Sequence, residues 1–339
     1  MAEHTNLSTI DPELAPLVAN SPPYTKSTPQ EQRDGYKQFG LPIIKKNLEQ
    51  FLPPADEYKA SDRFIRVDDG VEVLAKCVTP VPKDGEDGKF PLIFWIHGGG
   101  WFLGEAEMDD YTLRATSVKH RVSVVNCEYR LAPENPFPTG VNDVLTALKY
   151  VVKHPAEFSA DVKKGLIVGG TSAGGNLAAV LSHLTRDDPF FEETPITGQI
   201  LQIPSLCHPK AYPEKYKSLF LSMEQNKDAP ALPAERVHEI FEWYGAPPED
   251  PRMSPLLLAS HKGLSPAFIQ VCGFDPLRDD GIVYEKVLKE AGVPTKLEIY
   301  PGTTHGFHAF YVSIKQAVKW REDYNAGIEW LLTQNKKSL

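Results

Sequence analysis

The sequence predicts an α/β fold, a largely parallel sheet with helices on both faces, and three observations carry that prediction. Six strand-like runs alternate with helical patterns from Pro91 onward. A tight glycine-bounded turn joins one of those strands directly to a helix, and a single interval without any strand, 205–250, interrupts the alternation. Strands separated by helices of crossover length pair in parallel, because the helix has to return the chain to the same edge of the sheet.

The chain has 339 residues, longer than a usual domain of roughly 100–200, so one large core with a smaller appended element is expected rather than two equal domains. Its segment 1–55 is polar and proline-bearing up to Pro29; then Tyr36, Phe39, Ile43, Ile44, Leu48 and Phe51 recur at helical spacing, an amphipathic face that has to lie on something. Arg63 to Val67 and Val71 to Val78, joined by Asp68-Asp69-Gly70, read as an antiparallel hairpin, since Asp-Gly tolerates the positive φ of the turn. That hairpin opens the main domain, whose first part is expected over 56–204.

The strand-like runs are Pro91 to Ile96, Ser123 to Tyr129, Gly165 to Gly169, Gln199 to Pro204, Ala267 to Cys272 and Thr295 to Tyr300. Val141, Val144, Leu145, Leu148, Val151 and Val152 mark one crossover helix, and Gly174 to Thr185 another. The interval 205–250 carries helical patterns at Tyr216 to Met223 and Ala234 to Tyr244; placed after a strand's C-terminal end, it would cover the ligand crevice of an open sheet. Residues 251–339 complete the core.

Composition narrows the function. Lysine and arginine total 36 against 45 acidic residues, a net charge of −9, and without a basic footprint nucleic acid is excluded as a partner. No apolar run approaches the roughly 18 residues needed to span a bilayer. The first residues lack a basic stretch followed by an apolar one, so the expected location is intracellular, in the cytoplasm. Cys77, Cys127, Cys207 and Cys272 form no CxxC pair and are expected as buried free thiols.

The chemistry concentrates at strand ends. Gly170-Thr171-Ser172-Ala173-Gly174-Gly175 follows one strand and opens a helix, the context in which G-x-S-x-G is a nucleophile elbow. A glycine-rich turn cradling phosphate is the competing reading, and the lysine of a Walker pattern is absent. His97-Gly98-Gly99-Gly100-Trp101 follows another strand, and its glycines leave backbone N–H groups unclaimed. Those of Gly99 and Gly100, with Ala173, are the expected oxyanion donors, and His97 is expected to organise the loop.

A serine nucleophile needs a base and the base needs an orienting carboxylate. Asp275 follows the strand Ala267 to Cys272, and His305 follows Thr295 to Tyr300. The order Ser172, Asp275, His305 is that of an α/β-hydrolase, unlike the other serine-triad folds. Asp279, Asp280 and His308 are the rival assignments, further into the following loop or helix.

With these residues in view, the chain resembles the hormone-sensitive-lipase-like group of α/β-hydrolases, the bacterial family IV esterases, from about Phe90 to Trp330. The glycine cluster is similar to that group's hallmark, and Tyr129-Arg130-Leu131-Ala132-Pro133-Glu134 with Pro136-Phe137-Pro138 to its second signature. The serine pentapeptide and Asp275-Pro276-Leu277-Arg278-Asp279 resemble its Thr-containing subgroup. Asn135, where the group often has histidine, and Asp280, where it often has glutamate, depart from the pattern.

The resemblance implies an eight-stranded mostly parallel sheet and a helical cap made of residues 1–55 and 205–250. It also implies hydrolysis of a small-molecule ester of short to medium acyl chain through an acyl-enzyme, with no metal or organic cofactor. Amide or lactone hydrolysis, or acyl transfer on a specialised metabolite, is the alternative. A non-catalytic small-molecule receptor is a further reading, and such receptors among the group's plant relatives lack the histidine base that His305 supplies here. The group often forms a homodimer through an edge strand or a helix near the C-terminus, which leaves oligomeric state open. Trp101, Phe102, Tyr216 and Phe220 are candidate pocket residues, with core packing as the competing reading. Within the second signature, Arg130 and Glu134 are expected to pair, with Asp143 anchoring the loop.

Overall fold

The computed structural model describes residues 4–19 and 24–338; the N-terminal Met-Ala-Glu, read above for a secretory leader, lies outside the described residues. One eight-stranded sheet organises the chain, in the order β1-β2-β4-β3-β5-β6-β7-β8. Its strands are β1 (Tyr58–Arg66), β2 (Glu72–Pro80), β3 (Leu92–Ile96), β4 (Ser123–Cys127), β5 (Leu166–Thr171), β6 (Gly198–Gln202), β7 (Ala267–Cys272) and β8 (Thr295–Tyr300). The expected hairpin forms: β1 and β2 are antiparallel, and Val67 and Val71 close it around Gly70, whose φ is +85°. β2 runs antiparallel to β4, and every later pairing is parallel.

The central strands β3, β4, β5, β6 and β7 are buried at every position, as expected where helices cover both faces. The helices used below are α1 (Pro29–Gly35), α2 (Leu41–Leu48), α3 (Asp110–His120), α4 (Thr139–Lys153), α5 (Ala173–Arg186), α6 (Ser222–Gln225), α7 (Ala234–Tyr244), α8 (Arg278–Glu290), α9 (Phe307–Phe310) and α10 (Lys315–Ser338). Helices α4 and α5 pack Val141, Val144, Leu148, Leu177 and Leu181 against one face of the sheet. Helix α10 covers the other, where Tyr324, Ile328 and Leu331 meet Ile167, Ile200 and Phe268.

Two sequence expectations are corrected. The apolar pattern from Tyr36 to Phe51 does not form one buried stripe. Ile44 and Leu48 pack on Val312, while Phe39 and Ile43 are 60% and 47% exposed. A π-helical stretch at Tyr36–Gly40 shifts the phase of the helix, which carries Phe39 off the stripe that a regular 3.6-residue turn would give. Nor does Arg130 pair with Glu134. Arg130 bonds Asp143 through Nε and Nη2, and Asp69 through Nη1, whereas Glu134 is taken by Arg33. Asp143 does anchor the loop, accepting from the Arg130 backbone N–H as well.

All four cysteines are free and buried. No helix among the described residues is long and apolar enough to cross a membrane, and no cluster of three or more His, Cys, Asp or Glu among them is arranged to hold a metal.

Candidate active site

Ser172 stands at the junction of β5 and α5 with φ 57° and ψ −114°, a conformation that an L-residue occupies only under constraint. The constraint is visible in the glycines around it. A Cβ on Gly174 would lie 2.0 Å from the carbonyl oxygen of Ile96, and one on Gly170 would lie 2.5 Å from the backbone of Gly174. Chain crosses chain at this turn without room for a methyl group. The Ser172 N–H donates to the Gln202 carbonyl at 2.7 Å, so the strained residue is still tied to the sheet.

His305 lies in the loop after β8, its Nε2 2.9 Å from Ser172 Oγ. Its Nδ1 is 2.7 Å from Asp275 Oδ2, and the Asp275 carboxylate is 1% exposed. The Leu277 N–H holds the other carboxylate oxygen at 2.9 Å. An imidazole with one nitrogen on a buried carboxylate has its second nitrogen fixed as the acceptor facing the serine hydroxyl. The structure thus brings together the three residues picked from chain order.

The rivals are occupied elsewhere. Asp279 accepts the N–H groups of Leu221 and Ser222 and pairs with Arg278, and Asp280 accepts those of Leu206 and Cys207. His308 stacks on Trp320 with ring centroids 4.2 Å apart, and burial draws its pKa down to about 3.

The glycine loop after β3 lies beside the elbow. Gly99, Gly100 and Trp101 all have positive φ, and a Cβ on Gly99 would meet the Leu103 carbonyl at 2.0 Å. The carbonyl of Gly99 accepts from Leu103, while no backbone carbonyl among the described residues takes the N–H of Gly99, Gly100 or Ala173. His97 organises the loop from below, its Nδ1 2.7 Å from the Gly98 carbonyl and its ring stacked on Tyr129 at 4.5 Å. Burial lowers its pKa to about 4, so it is neutral and donates to that carbonyl.

The four pocket candidates divide. Trp101 is buried and stacks face to face on Tyr244 at 4.5 Å, with Phe241 at 5.8 Å; Phe102 is buried edge-on against Trp243. Both rings bind the glycine loop to α7. Phe220 is buried against Tyr212, their rings 3.9 Å apart. Tyr216 is turned to the outer surface, where its hydroxyl donates to Glu290 at the end of α8 at 2.5 Å.

Three residues that the sequence did not single out hold the loops around Ser172, Asp275 and the glycine cluster. Arg33 of α1 donates to the carbonyls of Phe102 and Ala132 at 2.7 and 2.6 Å while its guanidinium grips Glu134. Ser222 donates to the Pro276 carbonyl, and Asn226 to that of Asp275. An arginine in a loosely patterned N-terminal segment and two polar residues in a strandless interval carry no local signal; only the fold brings them to the loops.

A serine raised on a strand-helix elbow, a histidine oriented by a buried carboxylate, and this strand order together define the serine hydrolases of the α/β-hydrolase fold. The model of one such family, described as an alpha/beta hydrolase fold, matches residues 93–309. The chain belongs to that family, the hormone-sensitive-lipase-like group. It is similar to the versiconal hemiacetal acetate esterase of Dothistroma septosporum, 36% identical over 74% of this chain and 76% of that one. A carboxylesterase of Mycobacterium tuberculosis is 33% identical over 83% and 86% of the two chains. Among solved structures, vibralactone cyclase superposes with a TM-score of 0.93 at 42% identity, covering 97% of each chain.

Proposed function

We propose that this chain is a serine carboxylesterase that cleaves small-molecule esters of short to medium acyl chain through an acyl-enzyme. The observation that carries the reading is the continuous hydrogen-bonded line from Ser172 Oγ through His305 to the buried Asp275. In this mechanism His305 Nε2 takes the hydroxyl proton as Ser172 attacks the ester carbonyl. Asp275 stabilises the imidazolium that results, and the N–H groups of Gly99, Gly100 and Ala173 receive the oxyanion. His305 then protonates the leaving alcohol, and water releases the acid by the same steps in reverse.

The same reading takes residues 1–55 and 205–250 as a cap over a core of 56–204 and 251–339. Support comes from Arg33, which ties α1 to the glycine loop, and from the rings of α7 stacked on Trp101 and Phe102. Trp101 and Phe102, 2% and 1% exposed, are taken up in that aromatic layer, which joins the glycine loop to α7. The four unpaired, buried cysteines fit a reducing compartment and so support a cytoplasmic location.

Hydrolysis of a p-nitrophenyl ester series from acetate to decanoate, with Ser172→Ala alongside, tests the reading. Turnover of the shorter esters by the wild type and none by the variant is the expected result; equal turnover by both overturns it. A second reading rests on the 42% identity to vibralactone cyclase. An acyl-enzyme accepts any well-placed nucleophile, so a hydroxyl within the acyl chain can attack the acyl carbon in place of water; its proton passes through His305 to Ser172 Oγ as the serine ester breaks, and the acyl group leaves as a lactone. Product analysis with hydroxy-acyl esters separates the two: free hydroxy acid means hydrolysis, and lactone means cyclisation.

A further inference from the structure

Beneath Ser172 the sheet carries a line of buried polar side chains that the mechanism does not use. Thr171, Gln202 and Gln270 occupy directly paired positions on the adjacent strands β5, β6 and β7, so their side chains share one face and one level of the sheet. The level below, Gly169, Ile200 and Phe268, is apolar, as is the surface of α10 that covers it. Hydrophobic residues would fill the upper level equally well, and three polar ones there are costly unless every group is paired.

They are paired, and in one direction. The Thr171 hydroxyl donates to Gln202 Oε1 at 2.9 Å, and Gln202 Nε2 donates to Gln270 Oε1 at 2.9 Å. Gln270 Nε2 donates to the Tyr300 hydroxyl at 2.6 Å and to the Trp320 carbonyl at 3.1 Å. Tyr300 closes the line by donating to Asp323 Oδ2 at 2.9 Å, a carboxylate on α10 that Lys319 holds at the surface. Every link donates toward the same terminal anion, so each polarises and strengthens the one before it.

We infer that this line, running from Asp323 across three strands to Thr171, positions the nucleophile elbow. Thr171 immediately precedes Ser172, and the Ser172 N–H is bonded to the carbonyl of Gln202, a residue whose side chain is itself a link. The elbow is therefore held through both backbone and side chain of β6, and the Gln202 side chain is in turn held from β7. Because Ser172 sits in a strained conformation, a turn that loosens lets the hydroxyl drift from His305, and small misplacements of a nucleophile lower the rate of attack while leaving substrate binding intact. Gln270 and Tyr300 act through other residues and are positioning residues.

The inference rests on Ser172 being the nucleophile, and one set of kinetic measurements separates the two claims. The chains compared are wild type, Ser172→Ala, Thr171→Val, Gln270→Leu and the Thr171→Val/Gln270→Leu double variant, on a short p-nitrophenyl ester. Each single link variant is expected to lower kcat about tenfold, the rate equivalent of about one hydrogen bond, with KM within about twofold of wild type. The double variant is expected to be no slower than the slower single one, because a line broken once is already broken. Wild-type kcat in Gln270→Leu, or effects that multiply in the double variant, overturns the line while an inactive Ser172→Ala leaves the esterase reading standing. Full activity in Ser172→Ala removes the reading beneath it. Should Gln270→Leu fail to fold, Tyr300→Phe keeps the ring, deletes only the hydroxyl, and takes its place in the same comparison with Thr171→Val.

Discussion

Asn226 Nδ2 donates to the carbonyl oxygen of Asp275 at 2.9 Å, and to that of Gly273 at 3.3 Å, from a position that is fully buried between α6 and the loop after β7. The backbone of Asp275, whose carboxylate meets His305 Nδ1, is thus held from the strandless interval as well as from its own strand. Neighbouring Ser222 repeats the arrangement by donating to the Pro276 carbonyl at 2.7 Å. Asn226→Ala removes both donations, while Arg278 still serves both carbonyls, its N–H donating to that of Asp275 at 3.1 Å and its Nη1 to that of Gly273 at 3.3 Å, so the loss is about 0.5–1.5 kcal/mol for each bond removed. The expected outcome is a lowered melting temperature with kcat reduced more than KM is raised, measured on the same esters. A variant with wild-type kcat would show that the core alone fixes Asp275.

The triad geometry makes a sharper prediction about additivity. Ser172 Oγ and His305 Nε2 are 2.9 Å apart, and in the proposed mechanism they act in one step, so removing either removes the step. Ser172→Ala and His305→Ala are each expected to lower kcat by roughly four to six orders of magnitude, and the double variant to be no slower than either single one. His308→Phe is expected to leave kcat within about threefold, because that ring stacks on Trp320 and faces no reacting group. Activity retained in His305→Ala and lost in His308→Phe would reverse the assignment.

How much of this was legible follows from where each signal resides. The strands read correctly because runs such as Pro91 to Ile96 are buried on both faces, and unbroken apolar stretches of that length have few other uses. The elbow read correctly because Gly170 and Gly174 answer a steric demand within five residues, and their virtual Cβ atoms meet backbone at 2.0–2.5 Å. Arg130 and Glu134 are near in sequence without being near in space, so their spacing points to a pair that does not form. One true partner of Arg130, Asp143 of α4, is the anchor that the sequence pointed to; the other, Asp69, comes from the β1–β2 turn, which only the assembled sheet brings to the loop. Phe39 leaves the apolar stripe because a π-turn changes helical phase without marking the composition. Arg33, Asn226 and the Thr171-to-Asp323 line are relations between elements, and no single stretch of chain contains them.

Arg33 supplies the third prediction. Its Nε and Nη2 hold the carbonyls of Phe102 and Ala132, and the residue before Phe102 is Trp101, whose ring stacks on Tyr244. Arg33→Met keeps much of the apolar stem and deletes the charge-assisted bonds, worth about 1.5–3 kcal/mol each in partly buried surroundings. The variant is expected to melt several degrees lower and to lose about tenfold in kcat/KM as the glycine loop loosens. Glu134→Gln is expected to change either quantity little, because that carboxylate is 57% exposed and an exposed ion pair contributes about 0–1 kcal/mol. Equal losses in both variants would mean that the ion pair, and not the two carbonyl bonds, carries the connection.

The last prediction concerns pH. Asp109, at the start of α3, accepts from Trp95 Nε1 at 2.9 Å, and burial raises its pKa from 3.8 to about 6. A carboxyl whose folded pKa lies above its unfolded value binds more protons in the folded state between the two. Stability from this group is therefore gained as pH falls from about 6 toward about 4, and above pH 6 the partly buried charge is a burden. Buried neutral histidines act in the opposite sense. His97, lowered to about 4, and His183, lowered to about 2, must gain protons to unfold at acid pH, so stability is lost as pH falls below about 6.5. Asp109→Asn keeps an acceptor for the indole and deletes the charge. It is expected to raise stability by about 2 kcal/mol at pH 7 to 8, and the advantage is expected to shrink to nothing near pH 4, steepening the acid slope. Thermal melts of both proteins across that range check the sign. A variant advantage that is constant with pH would mean that the gain comes from packing, and that the Asp109 carboxylate is stabilised in its charged form by water or by a group other than Trp95.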